Sequence, residues 1–225
     1  MIQIDAYESI RTAIIQGNYQ PGQRLTEEFL SAELQISRTP IREAIKKLEA
    51  DGLVSSLRRG VIVRTFRADD VRQIYDLRAL LEGYAATHAA LLRTEEHIAR
   101  MNEATKSYER AIDAFGKSRE ALESIVENNK VFHDAVHESA NNPHLLFMMS
   151  KVIVLPLVFR SFYWYSLQEI QASLEAHKQI LKAIVARDPE WARSTMCAHI
   201  YKGRDHVLSH IEDVGSDMAN VTTVK

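Results

Sequence analysis

The 225-residue chain contains little of what stabilises secreted or membrane proteins, because it has a single cysteine, Cys197, and no long uninterrupted apolar run. One cysteine excludes an internal disulfide and suits a reducing cytoplasm. Asp5 and Glu8 place charges in the N-terminal segment, so we expect no signal peptide. The most apolar run, 145–159, is broken by Lys151 and is too short to span a bilayer. We expect a buried helix there.

An excess of positive charge is also lacking. The chain carries 28 Lys and Arg against 30 Asp and Glu, for a formal net charge of −2. It is therefore not a generally basic polyanion binder, and any affinity for nucleic acid must come from individually placed arginines. Apolar residues make up 46% of the chain, which is enough for one large or two small domains with real cores.

Strand signals become rare beyond residue 67, and only four of the eight glycines lie there, which predicts a second domain that is all helical. We expect a DNA-binding domain over 1–66, a helical domain over 67–214 and a flexible tail over 215–225. Breaks rich in Gly, Pro, Asn and Ser divide the second domain into six helices. These breaks lie near residues 93–94, 115–117, 141–143, 165–166 and 187–189.

The segment 35–48 predicts a short helix with one apolar face and one basic face. Ser37 or Thr39 is placed to cap its first N–H groups, and Pro40 suits its first turn. The inward positions have i, i+3, i+4, i+7 spacing and are Ile41, Ala44, Ile45 and Leu48. The outward positions are Arg38, Thr39, Arg42, Lys46 and Lys47. A cationic helix N-terminus with two arginines suits phosphates and guanine edges in a DNA major groove.

The flanking segments complete a winged helix-turn-helix pattern. A helix with isoleucines at helical spacing comes first, and a second helix is predicted over 26–34, capped by Thr26. Its inward residues are predicted to be Phe29, Leu30 and Leu34. Segments 53–57 and 61–63 alternate like two strands. The turn between them, the predicted wing, comprises Arg58, Arg59 and Gly60. A solvated basic face is the simpler interpretation of the helix alone, but the order of turn, cap, helix and wing favours DNA binding.

Histidines on three predicted helices of the second domain form a possible metal site. Asn129 and His133 share one helix face, and His177 and His199 lie in the middle of two later helices. Neutral imidazoles suit Zn²⁺ or Ni²⁺. Spacing alone is weak evidence, because the chain has nine histidines and a lone histidine on an apolar face is more often a core residue. His133 and His137 form an equally acceptable pair.

Arg78 lies on an apolar, core-facing stripe of the first helix of this domain, where an unpaired charge would be costly. It could form an ion pair with Glu82 at i+4, or it could bind the carboxylate of a ligand with two hydrogen bonds. Three further polar candidates for the same site are Arg160, Tyr163 and Tyr165.

The first 65 residues resemble the GntR family of bacterial transcription regulators. The resemblance rests on "PGQRLTE", "SRTPIREA" and "LEADGLV". It implies that the residues that contact DNA include Arg38, Thr39, Arg42 and Gly60. Glu28 stands where some relatives have an arginine, so we assign it no base contact.

Residues 70–204 are similar to the FCD ligand-binding domain of the FadR-type branch, through "YDLRALLEG", "FHDAVHESANNPHL", "LEAHKQILKAI" and "MCAHI". The resemblance implies a divalent metal, with Zn²⁺ expected first and Ni²⁺ or Mn²⁺ as alternatives. Its implied ligands are Asn129, His133, His177 and His199. Asn129 replaces the commoner aspartate, which removes a negative charge and weakens cation binding. The resemblance also implies that Arg78 contacts the effector.

Together these patterns predict a mainly α protein with an N-terminal winged helix-turn-helix and an antiparallel bundle of six helices. We expect a cytoplasmic homodimeric regulator, a repressor and not an enzyme, that binds an inverted-repeat operator under the control of a small carboxylate. The predicted DNA contacts are Arg38, Thr39, Arg42, Lys46, Arg58, Arg59 and Gly60. Three alternatives stay open: a sensor of the metal itself, a metalloenzyme-like domain fused to a DNA-binding head, and a regulator whose histidines hold no metal.

Overall fold

A computed structural model describes residues 5–115, 118–153, 162 and 164–221, with side chains at these positions apart from 119 and 212–221. The chain forms two compact units, one ending at Arg67 and one beginning at Ala68. Arg160 and Tyr163, which the sequence suggested as polar candidates, lie outside the described residues.

In its described residues, the first unit has three helices and a small sheet. Its elements are α1 (Ala6–Ile15), β1 (Arg24–Leu25), α2 (Glu27–Leu34), α3 (Arg38–Ala50), β2 (Val54–Ser56) and β3 (Val61–Val63). The sheet is antiparallel in the order β1-β3-β2. The predicted winged helix-turn-helix is confirmed, but the sequence did not indicate β1. This strand has only two residues and is defined by its pairing with β3.

Local capping explains where the first helices begin. Asp5 accepts hydrogen bonds from the first-turn amides of α1, and Thr26 accepts one from the amide of Phe29, as expected for the second helix. Ser37 occupies the N-cap position of α3, but its side chain makes no capping hydrogen bond. The expected cap at the start of the recognition helix is therefore not formed by Ser37.

A continuous hydrophobic core holds the first unit together. It includes Ile10 of α1, Leu30 of α2 and Leu48 of α3, all fully buried, together with the inner residues of the hairpin. Phe29 was predicted to point inward, and this was wrong. Its side chain is 44% exposed and meets only the edge of Tyr19, at a ring-centroid distance of 6.1 Å. Leu30 fills the inward position of this short helix instead.

The second unit contains six helices within the described residues. They are α4 (Ala68–Leu92), α5 (Glu95–Ile112), α6 (Arg119–Ser139), α7 (Pro143–Val152), α8 (Leu167–Val185) and α9 (Pro189–Val221). α9 packs along α4, and α5 packs against α6 and α8. The predicted all-helical class is confirmed, and each predicted break falls between two of these helices. The segment expected as a tail, 215–225, is helical as far as Val221.

α4 and α9 approach each other closely at Gly83. A Cβ atom at this position would lie 2.7 Å from the Sγ atom of Cys197. The thiol itself lies 3.3 Å from the carbonyl oxygen of Ala79. A glycine in the middle of α4 therefore allows α9 to pack next to the carboxylate-bearing turn of α4 that contains Glu82.

α7 differs from the buried helix that the run 145–159 predicted. Leu145 and Met149 are buried, but the three residues between them are largely exposed: Leu146, Phe147 and Met148. Residues 154–159 of this run lie outside the described residues. Among the residues that the structure does describe, no helix is both long enough and apolar enough to cross a membrane.

Candidate functional site

The recognition helix α3 has the two faces that its spacing predicted. The exposed face carries four of the predicted DNA-contacting residues: Arg38, Thr39, Arg42 and Lys46. Of the predicted inward residues, Ile45 is partly buried and three are buried in the core: Ile41, Ala44 and Leu48. The core thus fixes the rotation of α3, and this rotation presents the basic side chains to solvent.

Two glutamates of α2 form ion pairs with two arginines of α3. The sequence did not indicate these ion pairs. Arg42 donates from Nε and Nη2 to the two carboxylate oxygens of Glu27, at 2.8 and 2.7 Å. Arg38 Nη1 lies 2.9 Å from Glu28 Oε1. The hydrogen bond from Arg42 lowers the pKa of Glu27. Both arginines are exposed, and ion pairs in such positions contribute little to stability.

The wing is fixed by β1. Arg24 of β1 donates from Nε and Nη2 to the carbonyl oxygen of Arg59, at 3.0 and 2.7 Å. Gly60 has φ +81°, and a Cβ atom there would lie 2.3 Å from the carbonyl oxygen of Leu25. Glycine is therefore required at this turn by the backbone alone. Arg58 and Arg59 are exposed beside it.

In the second unit, three of the predicted metal ligands converge from three helices. The ring nitrogens of His133 on α6, His177 on α8 and His199 on α9 lie within 4.8 Å of one another. His133 Nε2 and His199 Nε2 are 3.2 Å apart. Two imidazole nitrogens bound to one ion at about 2.0–2.1 Å lie roughly 3 Å apart, so this pair has the spacing of two ligands of a single ion. Asn129 is buried one turn before His133.

His177 has the most unusual environment of the three. It is fully buried, and neither ring nitrogen has a hydrogen-bond partner among the described residues. Its ring stacks on Phe132 at 4.3 Å and meets the edge of Tyr108 at 5.7 Å. Burial lowers its pKa well below the ordinary value, and burial followed by the charge of His133 lowers the pKa of His199 to about 3. Both shifts favour the neutral form of His177 and His199, which is the form in which an imidazole binds a metal.

Glu82 adjoins this cluster, and sequence reasoning considered it only as a partner of Arg78. Glu82 Oε2 lies 2.6 Å from His133 Nδ1 and 3.3 Å from His137 Nε2. Burial acts to raise the pKa of Glu82, but Arg78 and His133 outweigh it and hold that pKa well below its usual range. His133 therefore contacts both the other histidines and Glu82, whereas His137 contacts the carboxylate.

The structure shows the ion pair that was one of two explanations for Arg78. The guanidinium is buried, and its Nε and Nη2 atoms both lie 2.9 Å from Glu82 Oε1. It also lies over the ring of Tyr75, 4.8 Å from the centroid. The buried charge is thus balanced within the chain. Binding of a ligand carboxylate by Arg78 stays a prediction.

The donor set fits a divalent metal. One nitrogen from each of three imidazoles converges, the ring nitrogens of His177 have no hydrogen-bond partner among the described residues, and His133 contacts a carboxylate through its other nitrogen. Carboxylate–histidine–metal arrangements of this kind are usual around zinc. The spacing argument alone could not choose between His133 and His137, but the geometry places only His133 with His177 and His199.

A winged helix-turn-helix followed by an all-α unit with a histidine cluster defines a class of bacterial DNA-binding regulators. The family model described as "Bacterial regulatory proteins, gntR family" matches residues 3–63, and that of the FCD domain matches residues 73–202. The chain therefore belongs to the GntR family of transcription regulators and carries its FCD domain.

Similar proteins cover almost the whole chain. The HTH-type transcriptional regulator YdhC of Bacillus subtilis is 27% identical, over 94% of this chain and 92% of its own length. The gluconate operon transcriptional repressor of Bacillus licheniformis is 25% identical, over 91% and 83%. The solved structure of McbR/YncC from E. coli has a TM-score of 0.75 at 21% identity, covering 93% of this chain and 99% of that one, and it shares the fold.

Proposed function

We propose that the chain is a cytoplasmic, homodimeric repressor that binds an inverted-repeat operator. A small organic acid would control its operator affinity by binding at a metal in the histidine centre, which is formed by His133, His177 and His199. The observation that carries this proposal is the buried His177, whose two ring nitrogens have no hydrogen-bond partner in the part of the chain that the structure describes. An unsatisfied buried polar group costs about 1–3 kcal/mol, so an ion that binds it stabilises the fold. The repressor named for the gluconate operon supports the sign of regulation.

The ion would be held by His133, His177 and His199, with the amide oxygen of Asn129 as a weaker fourth ligand. Three imidazoles favour Zn²⁺, and the oxygen ligand leaves Ni²⁺ or Mn²⁺ as alternatives. When bound, such an ion supplies a Lewis acid with positions open to carboxylate or hydroxyl oxygens.

Arg78 would also bind the carboxylate of the organic acid. Its guanidinium contacts Glu82 Oε1, and the other oxygen of the same carboxylate contacts His133. A carboxylate that joins both the ion and Arg78 would therefore act on one connected set of side chains. The acid changes operator affinity only to the extent that it binds one arrangement of the protein better than another.

A second function is favoured by one observation, the Glu82 carboxylate that already balances the charge of Arg78. In that case the metal alone would be the signal and no organic acid would be needed. Operator affinity that responds to the metal without any acid would favour this metal-responsive regulator.

The test uses full-length protein without a histidine tag, purified without chelator. Elemental analysis should find about one zinc or nickel ion per chain, since the three imidazoles form one site. Operator DNA selected by the protein from random duplexes is then titrated by fluorescence anisotropy, with a panel of small carboxylates. An acid that shifts the operator Kd only in metal-loaded protein supports the proposal. Protein that stays metal-free after zinc is added back contradicts it.

The proposed homodimer would form through α4 and α7, which pack together. Large apolar side chains lie exposed on one face of α4 and on α7: Leu77, Leu80, Tyr84, Leu91, Leu146, Phe147 and Met148. Contiguous exposed apolar surface of this kind marks interaction sites. A second copy of the same surface would cover it, and two-fold contacts of this type are the commonest in homo-oligomers.

Leu80→Glu should convert the dimer to a monomer, because Leu80 is 64% exposed and its replacement puts a charge into the proposed interface. Light scattering coupled to size exclusion measures the mass. Val185→Glu is the matched control, since Val185 is also exposed but lies at the end of α8. A Leu80→Glu variant that keeps the mass of a dimer, or a wild-type protein that is monomeric, would place the contact elsewhere.

A further inference from the structure

The carboxylate of Glu82 joins two parts of the second unit that the proposed function uses separately. Oε1 accepts a hydrogen bond from Arg78 Nε at 2.9 Å and lies 2.9 Å from Arg78 Nη2 in the ion pair. Oε2 lies 2.6 Å from His133 Nδ1 and 3.3 Å from His137 Nε2. Glu82 is fully buried, so water does not compete for these contacts.

These contacts determine the position of the proton on His133. A carboxylate that faces a guanidinium at 2.9 Å is ionised and can only accept hydrogen bonds. His133 Nδ1 must therefore donate its hydrogen to Glu82 Oε2. In the neutral imidazole this leaves the lone pair on Nε2, the nitrogen that lies 3.2 Å from His199 Nε2.

We propose that Glu82 is a positioning residue that fixes His133 in the Nδ1–H tautomer, turns its Nε2 lone pair toward His177 and His199, and links this ligand to Arg78. The inference rests on the proposed metal site and adds how that site is prepared and coupled to the arginine. The positioning role of Glu82 can be tested in metal-free protein.

The first readout is the tautomer of His133 in metal-free protein. Two-dimensional NMR that correlates ring nitrogens with ring protons distinguishes Nδ1–H from Nε2–H at a fixed pH of about 7.5, where imidazoles are largely neutral. Wild-type protein should show Nδ1–H at His133. Glu82→Gln should lose this single state, because the amide presents a donor as well as an acceptor. An unchanged tautomer in the variant would overturn the proposal.

The second readout is the Kd for Zn²⁺, measured by competition with a chromophoric chelator. Glu82→Gln should weaken binding by about 10- to 100-fold, the usual effect of removing the hydrogen-bond partner of a ligand histidine. Glu169→Gln is the matched control, since Glu169 lies 2.8 Å from Nδ1 of His206 and neither belongs to the histidine centre. It should bind Zn²⁺ as wild-type protein does. Equal Zn²⁺ affinity of both variants would also overturn the proposal.

A further variant keeps the test decisive if Glu82→Gln does not fold, because that change leaves Arg78 buried without its counter-ion. The double variant Arg78→Met with Glu82→Met removes both charges, and such apolar replacement of buried pairs is often neutral for stability. It should fold, lose the single His133 tautomer and bind Zn²⁺ about 10- to 100-fold more weakly. Wild-type tautomer and affinity in this variant would refute a positioning role.

The outcomes separate this inference from the proposed function. If wild-type protein binds no metal, the metal-dependent function fails, but the tautomer in metal-free protein still decides whether Glu82 positions His133. If wild-type protein binds Zn²⁺ and the Glu82 variants bind it equally well with an unchanged tautomer, the proposed function stands and the role of Glu82 is wrong.

Discussion

Arg42→Ala should weaken binding to the selected operator by at least about 30-fold while the protein stays folded. A bidentate contact of arginine to a base is worth about 1–3 kcal/mol, and a dimer would lose two such contacts. The fold should be unaffected, because Arg42 is 57% exposed and its ion pair with Glu27 is a surface pair of little net stability. Fluorescence anisotropy with operator and scrambled duplexes at fixed salt measures the loss and its specificity.

Arg110→Ala is the matched control for this experiment. Arg110 is likewise an exposed arginine with a glutamate partner, Glu103 at 2.8 Å, but it lies on α5 of the second unit. Its removal should leave the operator Kd unchanged. If Arg42→Ala binds the operator as tightly as Arg110→Ala does, the recognition-helix assignment is wrong.

His177→Phe should abolish metal binding and yet stabilise the metal-free protein. Phenylalanine keeps the stacking on Phe132 and removes two buried nitrogens that have no partner among the described residues, each of which costs about 1–3 kcal/mol. Zn²⁺ affinity should fall by more than the roughly 100-fold that follows from loss of a ligand's hydrogen-bond partner. Calorimetric melting with and without Zn²⁺ measures both effects, since the ion should raise the Tm of wild-type protein but not that of His177→Phe.

His144→Phe controls for adventitious binding, because His144 is an exposed histidine at the start of α7. It should keep the Zn²⁺-dependent rise in Tm. The His177→Phe variant should still bind the operator, but carboxylates should no longer shift its Kd. A variant that retains normal metal binding would show that the site has been misplaced.

Helix boundaries could be predicted from the sequence because they depend on local chemistry. Thr26 accepts the first-turn hydrogen bond of α2, and Asn142 with Pro143 begins α7. Such capping and breaking act within a few residues of the boundary. β1 could not be predicted in this way, since two residues carry no periodicity and the strand exists only through β3.

The inward direction of single side chains was less predictable. In the eight-residue helix α2, both Phe29 and Leu30 are apolar, and tertiary packing alone decides that Leu30 is buried and Phe29 exposed. The same holds for α7, where apolar composition predicted burial but Phe147 is 63% exposed. The apolar composition of a helix indicates that its apolar side chains must be buried. It does not indicate whether the same chain or a second molecule buries them.

At the histidine centre, too, the sequence narrowed the choice of residues and the structure decided between them. Spacing showed that His133 and His137 share a helix face, but both choices satisfy that rule, and only the family resemblance favoured His133. The structure separates them, with His133 near His177 and His199 and His137 at Glu82. Glu82 itself has a weak signal in the sequence, a second charge one turn from Arg78 on a buried stripe. Such an i, i+4 pair is usually interpreted as a complete ion pair. The contact of the second carboxylate oxygen with His133 follows only from the three-dimensional structure.

The bond between Arg24 and the wing has a consequence for the thermodynamics of DNA recognition. Two hydrogen bonds to the carbonyl oxygen of Arg59, and a glycine seated against the backbone of Leu25, hold the hairpin tip in place before any DNA arrives. A preorganised tip loses little conformational entropy on association. In the proposed complex the exposed Arg58 and Arg59 side chains become ordered on a hairpin tip that is already fixed, so shortening Arg24 should add an entropic penalty to operator binding.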